Sequence, residues 1–406
     1  ILPSIHAEID RLNSMADAEF KAGRIEEARR LSTQALEQST AHNYPTGKGD
    51  ALITTGKIVF RLVQYDEAHS IFHQVLDIFQ EVGDSLKISL ALQGIGSVYY
   101  ATGRLHEALE EFLNAYSILE LARLEHETLR VLGNIVIIYH TLCDYSQAIH
   151  YSEQQLAFAR RFNLEDHTAK ALSNLGELYF RLSDFTTSLE YSGEGLAVAE
   201  RCGDQAAESS ILANISSVYL HLGNYTGALD YTMRSIALAE HIGRKRLLPS
   251  LFNYACCIYG KMHNDSLALS YAMRALEIYS SLEDPVGEAY TLHNIASIFE
   301  QNGDLHTALE YARKSYHLCH TSSVKDAEAE TLLLIAVCHK KLDLHSEALT
   351  YTLQALEIAR SIDSHALLQS TLEHLVSITT HLGDTASAAR YTRQLLDTTK
   401  IIAKAE

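Results

Sequence analysis

Residues 174–196 read NLGELYFRLSDFTTSLEYSGEGL. Together with Leu172 just ahead, the apolar side chains Leu175, Leu178, Tyr179 and Leu182 return every three or four residues, which draws one face of an α-helix. Ser183-Asp184 interrupts that face, and a second helix runs from Phe185 through Tyr191 and Leu196 to Ala199. Gly203 stops it, because glycine beyond the last turn takes the left-handed C-cap without steric cost. Asp204 then suits the cap of the next helix. The stretch is a helical hairpin of about forty residues.

The hairpin is copied along the whole 406-residue chain. In steps of forty, a small residue returns at Ala28, Ala68, Ala108, Ala148, Ser188, Ala228, Ala268, Ala308, Ala348 and Ala388. A second column is Leu12, Leu52, Leu92, Leu132, Leu172, Leu212, Phe252, Leu292, Leu332 and Leu372. A third is tyrosine from Tyr151 to Tyr391, with Leu31, Ile71 and Glu111 in the first three units. No insertion breaks the register. The expectation is one all-α domain over residues 1–406, with units near 8–46, 47–86, 87–126, 127–166, 167–206, 207–246, 247–286, 287–326, 327–366 and 367–406. A lone hairpin cannot bury its apolar face, so neighbours must stack. The alanine column lets two helix backbones approach closely. The leucine and tyrosine columns are expected to fill the space between hairpins, and Ser188 is expected to tolerate alanine without loss.

The unit from Asn174 and the next, NISSVYLHLGNYTGALDYTMRSI from Asn214, resemble the tetratricopeptide repeat in their Asn-Leu-Gly, Tyr, Gly-Asn/Asp-Tyr, Ala-Leu and Tyr positions. The likeness covers about residues 10–400. The common unit has roughly 34 residues; the longer form here resembles the repeats of kinesin light chains, Pins-type spindle-orientation scaffolds and bacterial sensor and regulator proteins. Tyr254, Leu334 and His374 depart from the pattern where Asn134, Asn174, Asn214 and Asn294 follow it. The resemblance implies a right-handed α-solenoid superhelix of about ten hairpins, with the first helices lining a concave face.

Composition narrows the function. With 33 basic and 51 acidic residues the formal charge is −18, which disfavours nucleic acid and anionic membranes as partners. No apolar run has the length of a membrane span. The six cysteines form no CxxC pair and read as reduced core thiols of a cytoplasmic protein. A start at Ile1 and an apolar last helix carrying Leu395, Leu396, Ile401 and Ile402 suggest either a longer natural chain or self-association through that helix. There is no P-loop, GxSxG or HExxH sequence. His69 with His73, and His317 with Cys319 and His320, lack the spacing of a closed four-ligand site. No catalysis, cofactor or metal is expected.

On the implied concave face, helical geometry selects five positions per unit; in the fifth they are Lys170, Ser173, Glu177, Phe180 and Arg181. Over units two to ten these positions hold Lys57, Arg61, Arg130, Lys170, Arg181, Lys261, Lys340 and Lys341 against the acids Asp50, Glu177, Glu300, Glu330 and Glu373. Their excess is positive while the chain is strongly acidic. Phe60, Tyr100, His140, Phe180, His221, Tyr290 and His293 interleave with these charges, and arginines among aromatic rings are common interface anchors. Asn134, Asn174, Asn214 and Asn294 stand beside them, as structural hydrogen-bonders or ligand contacts. The expected function is a scaffold for a protein or peptide, with an acidic and partly apolar segment preferred. The alternative is the sensor or regulatory segment of a larger signalling protein carrying a kinase, nucleotide cyclase or transcription-regulator output.

Overall fold

The computed structural model describes the backbone of residues 2–362 and 364–405 and the side chains of 5–362 and 364–400. Two compact units emerge, residues 1–214 and residues 215–406. The first contains α1 (Leu2–Lys21), α2 (Ile25–Ala41), α3 (Pro45–Arg61), α4 (Tyr65–Val82), α5 (Ser85–Ala101), α6 (Leu105–Leu121), α7 (Glu125–Thr141), α8 (Tyr145–Arg161), α9 (Glu165–Arg181), α10 (Phe185–Cys202) and the start of α11 (Gln205–His221). The second continues with α12 (Tyr225–His241), α13 (Leu248–Lys261), α14 (Asp265–Ser281), α15 (Pro285–Gln301), α16 (Leu305–Thr321), α17 (Lys325–Lys341), α18 (His345–Ser361), α19 (His365–His381) and α20 (Thr385–Ala405). Every element among the described residues is a helix.

The backbone repeats at half the period of the side chains. A left-handed residue recurs every twenty positions, from Gly23 and Asn43 to Asp343, and again at Gly383. The turn within a hairpin and the turn between hairpins are thus the same device. At the end of α9, the Ser183 amide donates to Phe180 and the Asp184 amide to Tyr179, each at 2.9 Å. This pair of bonds satisfies carbonyls that the ending helix leaves open. The Asp184 carboxylate then accepts from the Thr187 amide at 3.1 Å, closing the start of α10. One short link therefore completes two helix ends. The exception precedes α13, where Pro249 sits in the first helical turn and the connection lengthens to residues 242–247.

The small-residue column holds each hairpin shut. From Ala28 to Ala348 every member, Ser188 included, is fully buried, and only Ala388 is half-buried. Small side chains of the first helix face it. A methyl group on Gly96 would lie 3.3 Å from the Ala108 carbonyl oxygen. One on Gly176 would lie 3.4 Å from the Ser188 carbonyl and collide with Ser192 Oγ. Ser216 Oγ donates to the Ala228 carbonyl at 2.8 Å. The two helices thus meet backbone against side chain, as close crossings require. Ser188 departs from expectation: its hydroxyl donates to the Gly176 carbonyl at 2.6 Å in a buried setting, so alanine there forfeits a hydrogen bond of about 1 kcal/mol.

The leucine column joins hairpins, as expected: Leu92 packs with Phe112 and Leu119 of α6 and Val131 and Ile135 of α7. The tyrosine column does this and more. Tyr151 meets Tyr116 of the preceding hairpin at 6.3 Å and Tyr271 donates to Met233 Sδ of the preceding hairpin. Tyr151 also stacks on Tyr139 (5.5 Å), Tyr191 on Tyr179 (5.4 Å), Tyr231 on Tyr219 (5.4 Å) and Tyr271 on Tyr259 (5.6 Å), all within one hairpin. The rings therefore brace the hairpin's own two helices as well as the seam between neighbours. The thiols also divide. Cys256, Cys319 and Cys338 are buried, but Cys143 and Cys202 are exposed on turns or helix ends, which corrects the reading of all six as core. On α20, Leu395 packs against the cluster of Leu356, Leu372, Leu375 and Tyr391, while Leu396 is 57% exposed. The side chains of Ile401 and Ile402 lie outside the described residues.

Two substitutions test these constraints. Ala228→Leu forces a branched chain into a closed crossing and is expected to cost about 1–3 kcal/mol in chemical unfolding. Val63 holds φ at 65° with its side chain 65% exposed. Val63→Gly is therefore expected to stabilise by about 1 kcal/mol, through relief of left-handed strain with little packing lost. Unchanged unfolding midpoints in both variants would contradict this account of the crossings and turns.

Candidate functional site

Within each unit, successive first helices approach one another: α1 with α3, α3 with α5, α5 with α7 and α7 with α9, and later α13 with α15, α15 with α17 and α17 with α19. Polar side chains about 37 residues apart bridge several of these pairs. Lys87 Nζ reaches Asp50 Oδ1 at 2.5 Å, Arg130 Nε donates to Gln93 Oε1 at 3.1 Å, and Lys340 Nζ to Ser377 Oγ at 2.6 Å. A related rung at forty residues pairs Lys57 with Asp17 at 2.9 Å. The sequence positions singled out for binding therefore also serve as rungs between repeats.

In the first unit, Glu177 is the centre of such a group. His140 Nε2 lies 3.4 Å from its Oε1, within ion-pair reach though not aligned as a hydrogen bond, and Arg181 Nη2 lies at 3.3 Å. His140 first, and Arg181 after it, hold the Glu177 carboxyl below its usual range against the cost of burial. Lys170 stands 3.7 Å from Asp204 and 3.9 Å from Asp166. Asp166 and Asp204 lie outside the five positions, and Asp17 takes the Glu177 position of the first unit, which the count left out, so much of the expected positive excess is offset within the protein. Arg61 and Arg130 have no carboxylate partner among the described residues. Arg61 sits 5.8 Å from the Phe20 ring, beside Phe60, which packs on Tyr65 at 5.5 Å. Tyr100 is 41% exposed, and Phe180 leans on Phe185 at 5.9 Å.

The asparagines split. Asn214 Nδ2 donates to the Ser173 carbonyl at 3.1 Å, a structural rung between first helices. Asn134 and Asn174 are half-buried without a hydrogen-bond partner among the described residues. In the second unit Asn294 and Lys261 line one small cleft of about 80 Å³ between α13 and α15. His221 is exposed, its Nδ1 3.2 Å from the Ser217 carbonyl. The histidine clusters find other work. His69 faces Tyr99 at 3.1 Å and His73 at 3.3 Å, and His320 pairs with Glu328 at 2.8 Å.

One feature of this face was not singled out from sequence. A cavity of about 440 Å³ opens between α15, α17 and α19, with His293, Asp326, Glu330 and His374 among its walls and Leu333, Val337 and Leu367 behind them. Five of its members, His293, Glu330, Leu333, Val337 and Ser370, occupy positions assigned to the face, but a count of charges gave no sign of a cavity. Its signal is a missing rung. Asp50 is paired by Lys87, whereas the residue in the same relation to Glu330 is Leu367. Burial pushes His293 down to about 4 and also lowers His374, so both rings are neutral near pH 7.

The profile described as tetratricopeptide repeat matches residues 49–121, 87–161, 127–201, 167–241 and 287–361. The chain belongs to the tetratricopeptide repeat family. No curated protein matches this tetratricopeptide repeat chain. Solved structures with a similar fold include a Rap protein complexed with Competence and Sporulation Factor, at 15% identity and TM-score 0.59, covering 98% of this chain and 99% of that one. The apo form of the quorum sensor NprR from B. thuringiensis is similar at 13% identity and TM-score 0.57, covering 97% and 99%. A STAND protein with a tetratricopeptide repeat sensor, PH0952 from Pyrococcus horikoshii, is similar at 14% identity and TM-score 0.57, over 83% of this chain and 53% of that one. No helix among the described residues is long and apolar enough to cross a membrane.

The buried histidine gives a pH test. In the unfolded chain an unperturbed imidazole titrates near about 6.5, and in the fold His293 takes its proton only near 4. The unfolded state therefore binds more protons between these values, and stability falls as pH drops through that window. His293→Gln is expected to flatten the loss between about pH 7 and about pH 5 in urea unfolding. An unchanged slope would place His293 in water.

Proposed function

We propose that this chain is a scaffold that binds a protein or peptide segment along the face made by the first helices of its hairpins. The observation that carries the reading is a face with polar groups left only partly engaged: the carboxamides of Asn134 and Asn174 and the guanidiniums of Arg61 and Arg130. A half-buried polar group without a partner gains from a ligand that supplies one. Likeness in fold to a Rap protein held with Competence and Sporulation Factor supports binding as the role of such an array.

The finer preference in the first unit is for an acidic, partly apolar segment. It rests on Arg61 and Arg130, which have no carboxylate partner among the described residues, on Phe60 next to Arg61, and on the exposed ring of Tyr100 on the intervening first helix α5. Self-association through α20 is a further proposal and rests on Leu396 among the described residues. A second reading, a sensor segment of a larger cytoplasmic signalling protein, is favoured by likeness in fold to the quorum sensor NprR and to the sensor-bearing STAND protein.

Selection of a displayed random-peptide library on the intact chain tests the function. Bound peptides are expected to be enriched in Asp or Glu next to an apolar residue. Arg61→Glu combined with Arg130→Glu is expected to weaken them about tenfold, mostly through slower association, because steering charges act on the on-rate. Enriched peptides without acids, or equal binding by the reversed variant, would end the acidic preference. A library that yields no binder would end the scaffold reading.

A further inference from the structure

The second unit carries an acidic site with opposite chemistry to the basic groups of the first. On α17, Asp326 and Glu330 lie one turn apart and both line the 440 Å³ cavity. Five other acids of this face or its turns meet cations, Asp17 with Lys57, Asp50 with Lys87, Glu177 with Arg181, Asp204 with Lys170 and Glu300 with Lys341, while Glu373 accepts from the Gln369 carboxamide. Asp326 accepts only from the Tyr290 hydroxyl at 3.3 Å, and Glu330 has no partner among the described residues. Although Glu330 is exposed at the cavity's edge, desolvation by the surrounding protein, and the Asp326 charge after it, raise its carboxyl above the usual range.

Three features define what fits. The rung that would have neutralised Glu330 is replaced by Leu367, which is 9% exposed and leaves a void where Lys87 stands in the earlier repeat. The wall of Leu333, Val337 and Leu367 is aliphatic, which suits the methylene stem of a long cationic side chain. His293, half-buried, also lines the cavity, with Nδ1 3.2 Å from Thr331 Oγ1; its neutral ring adds no positive charge. Lys340 lies close enough to His374 to lower its pKa, but its ammonium is bonded to Ser377 and does not line the cavity.

We propose that the cavity between α15, α17 and α19 is an anchor pocket for an arginine side chain of a bound peptide, with the guanidinium paired to Glu330 and Asp326. Arginine suits it better than lysine, because a planar fork can pair carboxylates in two directions while its stem lies on the leucines. The inference rests on the peptide-binding reading for the source of the arginine, and on the pocket alone for the cation.

The test is a methyl-resolved NMR titration of the intact chain with N-acetyl-arginine amide, N-acetyl-glutamate amide and agmatine. The capped arginine is expected to shift the methyl signals of Leu333, Val337 and Leu367, with about tenfold weaker binding in Glu330→Gln, as removal of a charge-assisted pair implies. Leu367→Lys is expected to abolish binding by supplying a tethered cation. Because that position is buried, Glu330→Gln, at an exposed carboxyl, is the variant that decides if the other does not fold. Equal shifts with the capped glutamate, or unchanged arginine affinity in Glu330→Gln, would overturn the proposal. Agmatine binding far more tightly than the capped arginine would overturn the peptide source in favour of a free small cation. Arginine binding that depends on Glu330, alongside a peptide library that yields no binder, would leave the pocket standing and remove the scaffold reading.

Discussion

Everything in the array depends on how closely two helices of a hairpin can approach. The buried small residues from Ala28 to Ala348 on the second helices, facing Gly96, Gly176 or Ser216 on the first, bring backbone carbonyls within contact of the partner helix. A larger side chain at that crossing would separate the helices and pull apart the stacked rings above it, such as Tyr179 on Tyr191. Because the same crossing recurs every forty residues, the first helices come to lie side by side and their polar faces meet in register. The polar face is a consequence of the crossing.

That register turns a list of polar residues into a lattice. Pairs such as Lys87 with Asp50, Arg130 with Gln93, Asn214 with the Ser173 carbonyl and Lys341 with Glu300 tie one repeat to the next. Exposed ion pairs of this kind contribute little energy singly. Their significance here is positional: they fix which groups are spent on the protein and which remain for a ligand. Arg61, Asn134 and Asn174 remain in the first unit, and Asp326 and Glu330 in the second. The two units therefore differ in sign while sharing one backbone plan.

The fold was legible because its signals are local and repeated. Helix spacing in 172–182, the Gly203 stop and the forty-residue columns each recur often enough to outweigh single departures. The twenty-residue backbone period was harder to read, since the left-handed position is filled by Asn43, Val63, Arg123 and Glu283 as readily as by glycine. The tyrosine pairing was missed because its partner ring, at Tyr139 or Tyr179, belongs to a second aromatic column that only matters once the hairpin closes. At the candidate site, the sequence placed Glu177, Arg181 and His140 together but misjudged the charge. Asp204, on the turn before α11, falls outside the counted positions, and Asp17, on α1, belongs to the first unit, which the count left out. The cavity beside Glu330 was illegible for a deeper reason: it arises from a residue that is not there, the cation replaced by Leu367.

The central claim is that ligands lie on the first helices. The most direct measurement places a photo-crosslinker at each position of a library-selected peptide and maps the adducts on the chain by mass spectrometry. The account predicts adducts on odd-numbered helices, at residues such as Arg61, Tyr100, Asn134 and Val337. Adducts concentrated on even-numbered helices, at residues such as Glu110, Glu190 or Met273, would contradict it.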